Sequence, residues 1–514
     1  MTRTLLHSGR IFTAGDEPVV TSLLVEDGRV LWTGDDVAVA GADELVDLDG
    51  ALVTPAFVDA HTHTTETGLA LRGVDLTDSP SLADALDRVA LAARAGAGRP
   101  VLGHGWDERR WPEGRPPTRA ELDRASYGGV VYLSRVDVHS AVVSSALAAA
   151  AHLRELSGWA DDGRVERDAH HAARTATRDG IGPGLRRELQ VDALSAAAAT
   201  GIGCVHEMSA PHIASEQDLR ELLALSAERP DLPMVAPYRG QLVTSADEAR
   251  AVAERLAVPG AAPVLGLAGD LCADGSIGSH TAALRAPYSD AVTSGHAYLT
   301  VEQVAAHVAA CTTAGLAAGF HVIGDQAVDL VLAGFAAAVD RVGLDAVRAG
   351  NHRLEHVEMA DDAAVAELAR LGLTASVQPV FDAWWGGDSG LYAERLGTQR
   401  GPRLNRFADL HAAGVPLFLG SDTPVTPYDP WGALRACVHH HDPGQRVDLR
   451  TALGWHTGSL RPGRVASYAV WNVPGGFDDP DGELPDVGPG VPDPECLLTV
   501  VRGTVAYQRE GALA

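Results

Sequence analysis

The chain has 514 residues, a formal net charge of −27 and 46% hydrophobic residues. Its length exceeds the ~250–300 residues at which a single core stops growing, so we expect more than one domain. The negative charge disfavours nucleic acids and anionic membranes as partners, because both would repel the protein. No stretch approaches the ~18 apolar residues of a membrane span, and no signal-peptide pattern opens the chain, which predicts a cytoplasmic protein.

Two residue types narrow the chemistry further. The five cysteines are scattered without a CxxC pair, so we expect buried thiols rather than a disulfide framework or a zinc–thiolate site. The chain contains no lysine, and all 41 basic residues are arginine. Any chemistry that requires a lysine side chain is therefore excluded.

Both ends of the chain are rich in short strands. Residues 1–55 contain apolar runs broken by glycine turns, and Asp27-Gly28 is typical of a hairpin. A second strand-rich stretch covers residues 456–514. We expect 1–55 and 456–514 to form one composite β-sandwich domain.

Residues 56–455 alternate between strand-like and helix-like segments, which favours an α/β fold with a parallel sheet. Eight such units predict a TIM-like (β/α)8 barrel. The strand candidates are Ala51–His63, Gly203–Glu207, Met234–Tyr238, Val264–Asp270, Ala318–Ile323, Arg353–His356, Thr374–Gln378 and Pro416–Ser421.

The segment 72–190 interrupts this alternation after the first barrel strand. It is far longer than an ordinary connection between a strand and a helix, and it has strand-like runs of its own. We interpret it as an inserted lid or subdomain.

Polar side chains collect where the predicted barrel strands end. His61 and His63 are two residues apart, so both side chains leave the first strand on the same face. His321, His356 and Asp422 lie at or near the ends of the fifth, sixth and eighth strands. Because barrel strands open into one mouth at their carboxyl ends, these five groups predict a metal site.

Several segments of the chain resemble the amidohydrolase superfamily, and specifically its family 3, the YtcJ-like proteins. The resemblance runs almost from end to end and in the family's order. The segments are Thr54–His63, Gly105–Glu108 with Trp111 and Pro117–Arg119, Leu133–Ser140, Ala273–Ser279, His321–Asp325, Arg353–His356, Ser376–Pro379 and Gly420–Val425.

This resemblance implies a role for each residue at the barrel mouth. It implies that His61, His63, His321, His356 and Asp422 hold one or two divalent metal ions, most readily zinc. It also implies that Asp422 is the catalytic base and that His356 takes part in catalysis.

The resemblance further implies a set of substrate-binding residues in the insertion and the fourth βα loop. His280 stands where relatives usually carry arginine, which alters the expected specificity. The complete set is Trp106, Asp107, Arg135, His139 and His280.

One departure from the family pattern concerns the fourth strand. Relatives often carry a lysine there that bridges two metals once it is carboxylated, whereas this chain has Asp270. A carboxylated lysine cannot form without lysine. Either Asp270 or Glu207, at the end of the second strand, supplies a carboxylate in its place, or the site holds a single metal.

These observations favour hydrolysis of a non-peptide C–N bond in an amide, an N-substituted formamide or a cyclic amide, by metal-activated water. One alternative is a deaminase with one metal held by His61, His63, His321 and Asp422. Another is a non-catalytic scaffold on the same fold, because a fold alone does not determine function. We expect a small-molecule substrate, and a homodimer remains open.

Overall fold

The computed structural model describes residues 2–15, 19–35, 41–96, 98–179, 181–477 and 484–512. Its central element is a sheet of eight parallel strands that follow one another in chain order. The strands are Phe57–Thr62, Ile202–Ser209, Met234–Arg239, Gly266–Leu267, Ala317–Val322, Arg353–His356, Thr374–Val377 and Leu417–Leu419.

The sheet curves until its first and last strands meet. The amide of Asp422 donates to the carbonyl of His61 over 2.8 Å, and Thr62 forms a parallel bridge with Thr423. The predicted TIM-like barrel is therefore confirmed, and this contact brings residues from the first and eighth strands together at its mouth.

Helices surround the barrel and bury their apolar faces against it. Thr300 and Gln303 form a capping box at the start of one of them. The barrel helices and those of its loops are Thr64–Arg72, Pro183–Ala199, Glu216–Glu228, Ala246–Leu256, Val301–Ala314, Asp325–Val342, Leu344–Ala349, Asp362–Leu371, Pro379–Trp385, Leu391–Leu396, Phe407–Ala412, Pro430–Val438 and Leu449–His456.

Most predicted strands differ from the observed ones by a few residues at their ends, and two differ more. The run Ala51–His63 is divided at Ala56: the amide of Ala56 donates to Ser467 in the C-terminal region, and that of Phe57 donates to Gly201 beside the barrel. The fourth barrel strand is shorter than Val264–Asp270 because Gly269 has φ +86°, which is incompatible with an extended strand.

Two further sheets contain strands from the chain ends. A four-stranded sheet comprises Arg3–His7, Ser22–Glu26, Arg29–Gly34 and Glu44–Asp47. A six-stranded sheet comprises Arg10–Phe12, Val19–Val20, Leu52–Pro55, Tyr468–Asn472, Glu495–Val501 and Thr504–Gln508.

The N-terminal and C-terminal strands pair directly. Leu52–Pro55 runs antiparallel to Tyr468–Asn472, and Leu6, Leu23 and Val470 belong to one buried apolar cluster. The exact limits of the composite domain, 1–55 and 456–514, stay a prediction.

The segment between the first and second barrel strands contains a five-stranded mixed sheet. It also has its own buried cluster, which includes Leu76, Val89, Trp106 and Leu133. The strands are Val74–Asp75, Val101–Trp106, Val131–Arg135, Ser140–Val143 and Arg164–Glu166, and the helices are Leu82–Gly96, Arg119–Ala125, Ser145–Ala150 and Arg167–Arg178. The proposed limits of this insertion, 72–190, stay a prediction.

Candidate metal centre

The first barrel strand delivers two imidazoles to one point. His61 and His63 are both buried. Successive side chains of an extended backbone point to opposite sides, so these two residues, which are two positions apart, point to the same side. Their Nε2 atoms lie 3.4 and 3.1 Å, respectively, from Oδ1 of Asp422. The first and eighth strands thus meet through these three side chains.

Asp270 follows the short fourth strand and reaches the same point. Its Oδ1 lies 3.4 Å from Nε2 of His61, and its Oδ2 lies 3.2 Å from Nε2 of His63. Its Oδ1 is also 3.8 Å from Nδ1 of His321. The ring of His356 completes the group, with its centroid 4.5 Å from that of His321.

Three overlapping sets of three residues could each hold a metal ion. Within each set, one ligand atom from every residue lies within 4.8 Å of the others, and all the residues are buried. The sets are His61–His356–Asp422, His61–His63–Asp270 and Asp270–His321–His356. The five residues predicted as ligands come together here, and Asp270 joins two of the sets.

Glu207 lies apart from these sets. Its carboxylate accepts a hydrogen bond of 2.8 Å from the amide of Thr64, at the start of the helix after the first strand. Of the two carboxylates that the sequence left open, the geometry therefore favours Asp270.

The ligand atoms fit a metal ion. Nε2 of His61 and Oδ1 of Asp270 are fully buried, and neither has a hydrogen-bond partner among the described residues. Buried polar atoms are rarely left unpartnered without an ion, water or ligand. Imidazole nitrogens beside carboxylate oxygens form a donor set that suits zinc and similar divalent ions.

The charges of the cluster also favour a cation. Burial opposes the charging of His61 and His63, yet the carboxylates of Asp270 and Asp422 raise the pKa of His61 well above its usual value and that of His63 to about 9. Burial also opposes ionisation of Asp270 and Asp422, but the imidazoles, His61 foremost, lower both carboxyl pKa values. The cluster therefore needs positive charge between its carboxylates, which protons or a metal can supply.

Hydrogen bonds on the side of the imidazoles that faces away from the centre orient the ligands. Nδ1 of His61 lies 2.9 Å from Oε2 of Glu355. Although burial opposes ionisation of Glu355, Arg353 and His61 lower its pKa to about 2, so Glu355 can only accept. His61 therefore carries a proton on Nδ1, and Nε2 is the nitrogen that would bind a metal in place of a second proton, an arrangement common in metal sites.

His356 is held in a similar way. Its Nδ1 lies 2.7 Å from the amide oxygen of Gln378, and burial and His321 lower its pKa to about 3. A neutral imidazole with Nδ1 donating to Gln378 presents its Nε2 lone pair to the centre.

Two of the ligand positions have unusual backbone conformations. His356 has φ +71° and Asp422 has φ +56°, in the left-handed region that residues other than glycine seldom adopt. At Asp422 the hydrogen bond to the carbonyl of His61 helps to hold the backbone. Such conformations are common where a side chain must point in one direction for function.

A cavity of about 300 Å³ opens above the ligands. Its base contains His63, Asp270, His321 and Asp422, and the helix Arg167–Arg178 from the insertion forms part of its outer wall. This volume is at the lower end of the range for small-molecule sites.

The residues predicted to bind substrate are placed differently from one another. His139 lines the cavity, and its ring centroid lies 5.3 Å from that of His321. Trp106 is buried in the core of the insertion, where its Nε1 donates to the carbonyl of Leu133 over 2.9 Å.

Asp107, Arg135 and His280 also lie outside the lining of this cavity. Arg135 is buried and paired with Glu108 and Asp137 at 3.0 and 3.2 Å. Asp107 caps a short 3-10 helix, Glu108–Arg110. The structure therefore brings only His139 of the five predicted residues to the cavity.

Several cavity residues were not predicted. Arg167, His170, His171 and Arg174 come from the insertion helix, and His212 comes from the loop after the second barrel strand. His170 and Arg174 are four residues apart, which places them on one helical face. That spacing was visible in the sequence, but the surface against which the face packs was not.

Comparison with known proteins places this arrangement in a family. The family model described as "Amidohydrolase family" matches residues 44–507. The chain therefore belongs to the amidohydrolase family.

Individual relatives match over most of their length. The N-substituted formamide deformylase of Arthrobacter pascens is 24% identical over 96% of this chain and 95% of its own. The YtcJ protein of Bacillus subtilis is 25% identical over 85% of this chain and 83% of its own. An uncharacterized metal-dependent hydrolase from Pyrococcus furiosus has a TM-score of 0.70 and 27% identity, covering 91% of this chain and 98% of that one.

Proposed function

We propose that the protein hydrolyses a non-peptide C–N bond in a small molecule, such as an amide, an N-substituted formamide or a cyclic amide. The observation that carries this proposal is the set of three overlapping ligand groups at the barrel mouth, directly below a cavity. The similarity to the formamide deformylase supports the choice of bond.

We propose zinc as the metal, held by His61, His63, His321, His356 and Asp422 together with Asp270. A bound divalent metal supplies Lewis acidity, which polarises a carbonyl oxygen and lowers the pKa of water. The position of Asp270 in two ligand sets supports it as the substitute for the absent bridging lysine.

Asp422 is the proposed general base. Its carboxylate is held ionised by His61 and His63, and its backbone is fixed by the contact with the first strand. It takes a proton from the attacking water and returns it to the leaving nitrogen. His356, whose Nε2 faces the same centre, assists by hydrogen bonding or as a ligand.

The binding partner in this proposal is a small molecule, and a homodimer and a cytoplasmic location stay predictions. None of the helices in the described part of the chain has the length and apolar character that a membrane span requires.

The test combines metal analysis with product analysis. The protein is stripped with a chelator, reloaded with zinc, and offered N-substituted formamides, N-acyl amines, cyclic amides and amino-substituted rings. We expect at least one equivalent of zinc and zinc-dependent release of an amine and an acid. Release of ammonia from an amino-substituted ring would identify a deaminase instead, and zinc binding without any C–N cleavage across the panel would contradict the proposal.

A further inference from the structure

The cavity has two chemically different ends. Its three lining carboxylates, Asp270, Asp274 and Asp422, lie at the base. Asp270 and Asp422 face the ligand histidines. The carboxylate of Asp274 accepts hydrogen bonds of 2.8–3.0 Å from the backbone amides of Ala283, Ile323 and Gly324. The three carboxylates of the cavity therefore all lie at its base, where histidines or backbone amides already bind them.

The outer wall carries positive charge instead. Arg167 and Arg174 line it, and both belong to the helix Arg167–Arg178. The helix turns Ala169, His170, Ala173 and Arg174 inward, as expected for residues spaced by one turn. Arg174 is only 9% exposed, so its guanidinium is a nearly buried cation.

The charge of Arg174 is only partly neutralised. Arg174 pairs with Glu66, whose Oε2 lies 3.5 Å from Nη2 of Arg174. Glu66 is also bound by Arg178, whose Nε lies 2.5 Å from Oε1 and whose Nη2 contacts Oε2. One carboxylate therefore serves two guanidinium groups, and the weaker pairing leaves Arg174 with donors for a ligand.

The two histidines that line the cavity near Arg174 do not supply the missing negative charge, and the other carboxylate whose charge acts on Arg174, Asp270, is paired with the ligand histidines at the base. His170 and His212 are buried, and burial together with neighbouring charged groups keeps their pKa values well below the usual value. Both are neutral near pH 7, and the Nε2 of His170 is already 2.8 Å from the hydroxyl of Tyr132. The outer wall therefore combines a cation with uncharged hydrogen-bonding groups.

We propose that the substrate carries a carboxylate that binds Arg174, while its C–N bond lies above the metal ligands. A guanidinium matches a planar carboxylate because it can donate two parallel hydrogen bonds. The inference rests on the proposed function in one respect: it takes this cavity as the substrate site. It names the class of substrate as N-acyl or N-formyl compounds with an acid group.

The test compares acids with their neutral counterparts on the zinc-loaded protein. The probes are N-formylglycine, N-acetylphenylalanine and N-benzoylglycine, each paired with its carboxamide, and binding is measured by calorimetry. Hydrolysis of each probe is followed in parallel. The variants are Arg174→Met and the control Arg164→Met, which removes the same charge from an exposed residue that pairs with Asp162 and does not line the cavity.

We expect the wild-type protein to bind at least one acid about 10- to 100-fold more tightly than its carboxamide, as a charge-assisted hydrogen bond allows. Arg174→Met should abolish this preference, and Arg164→Met should retain it. If Arg174→Met unfolds, Arg174→Lys, which keeps the charge without the paired donors, should show a reduced preference.

Two results would overturn the inference. One is the absence of any preference for the acid in all three pairs. The other is a preference that survives Arg174→Met in a folded protein, which would assign the acid to the metal. Binding of acids through Arg174 without hydrolysis would instead contradict the proposed function and leave the carboxylate subsite supported.

Discussion

The two ends of the cavity are built by different parts of the chain. The base is formed by residues at the carboxyl ends of four barrel strands or just beyond them, and the register of a closed sheet brings those residues together. One helix of the insertion contributes four residues, two of them arginines, to the outer wall.

This difference separates two tasks. The base holds ligands whose imidazoles are oriented from behind by Glu355 and Gln378, so it suits chemistry that requires fixed geometry. The wall can vary its side chains without disturbing the barrel, so it suits substrate selection. Substitutions at the base should therefore change turnover or metal content. Substitutions in the insertion should change the preference among substrates or the stability of the protein.

The largest expected effect is that of Asp422→Asn. An amide cannot accept a proton near pH 7, so turnover should fall by about 10²–10⁴-fold. The histidines and Asp270 remain, so most of the metal should be retained. Asp429→Asn is the matched control, because Asp429 caps a helix away from the site and asparagine caps equally well.

Metal content and rate are measured on the same preparation of each variant. A parallel loss of metal and rate in Asp422→Asn would make Asp422 chiefly a ligand. A normal rate at full metal content would remove Asp422 from the role of base.

Asp270→Asn should lower the amount of bound metal. Asp270 contributes to two of the three ligand sets, so its neutralisation weakens both. Glu207→Gln, which removes the same charge from a residue outside those sets, should leave the metal content unchanged. Elemental analysis after dialysis measures both, and the opposite ranking would show that Glu207 is the metal ligand.

Gln378→Met should weaken metal binding by about 10–100-fold, the usual effect of losing a residue that orients a ligand. The 2.7 Å contact with Nδ1 of His356 is lost, while the volume of the side chain is nearly kept. Gln190→Met is the control, because Gln190 is equally buried but bonds to Thr65. Competition with a metal indicator gives both affinities, and equal values would contradict this orienting role.

The smallest expected effect on turnover is that of Trp106→Phe. Trp106 lies in the core of the insertion, so its loss should cost about 1–3 kcal/mol of stability through the unpaired carbonyl of Leu133. The kcat/KM should stay within about threefold. Trp111→Phe, which loses a similar bond to Ser79, should behave alike.

Thermal unfolding and steady-state kinetics separate the two roles of Trp106. A large rise in KM for Trp106→Phe alone, at unchanged stability, would show that Trp106 binds the substrate.

The sequence predicts the base of the cavity well because the barrel has a strict periodicity. His61 and His63 share a face in any extended strand, His356 ends a short strand of the alternating pattern, and Asp422 follows an apolar run that ends at the same rim. The choice between Asp270 and Glu207 could not be made from the sequence. Both follow barrel strands, and only the packing of the loops decides which carboxylate turns toward the histidines.

The sequence predicts the wall less well because tertiary packing decides it. Arg174 and His170 lie on one face of a helix in any model of the segment. Their approach to the barrel mouth depends on how the five-stranded sheet of the insertion docks. Trp106 differs from its prediction in the opposite direction. The family resemblance implies that Trp106 binds the substrate, whereas its indole packs in the core of the insertion.

The most direct test of the central claim is anomalous diffraction at the zinc edge from crystals of the zinc-loaded protein. We expect one or two anomalous peaks bounded by His61, Asp270 and His356, the residues that each join two ligand sets. A zinc-loaded crystal with no peak among these residues, or with its peaks elsewhere, would contradict the claim that the barrel mouth is the metal centre.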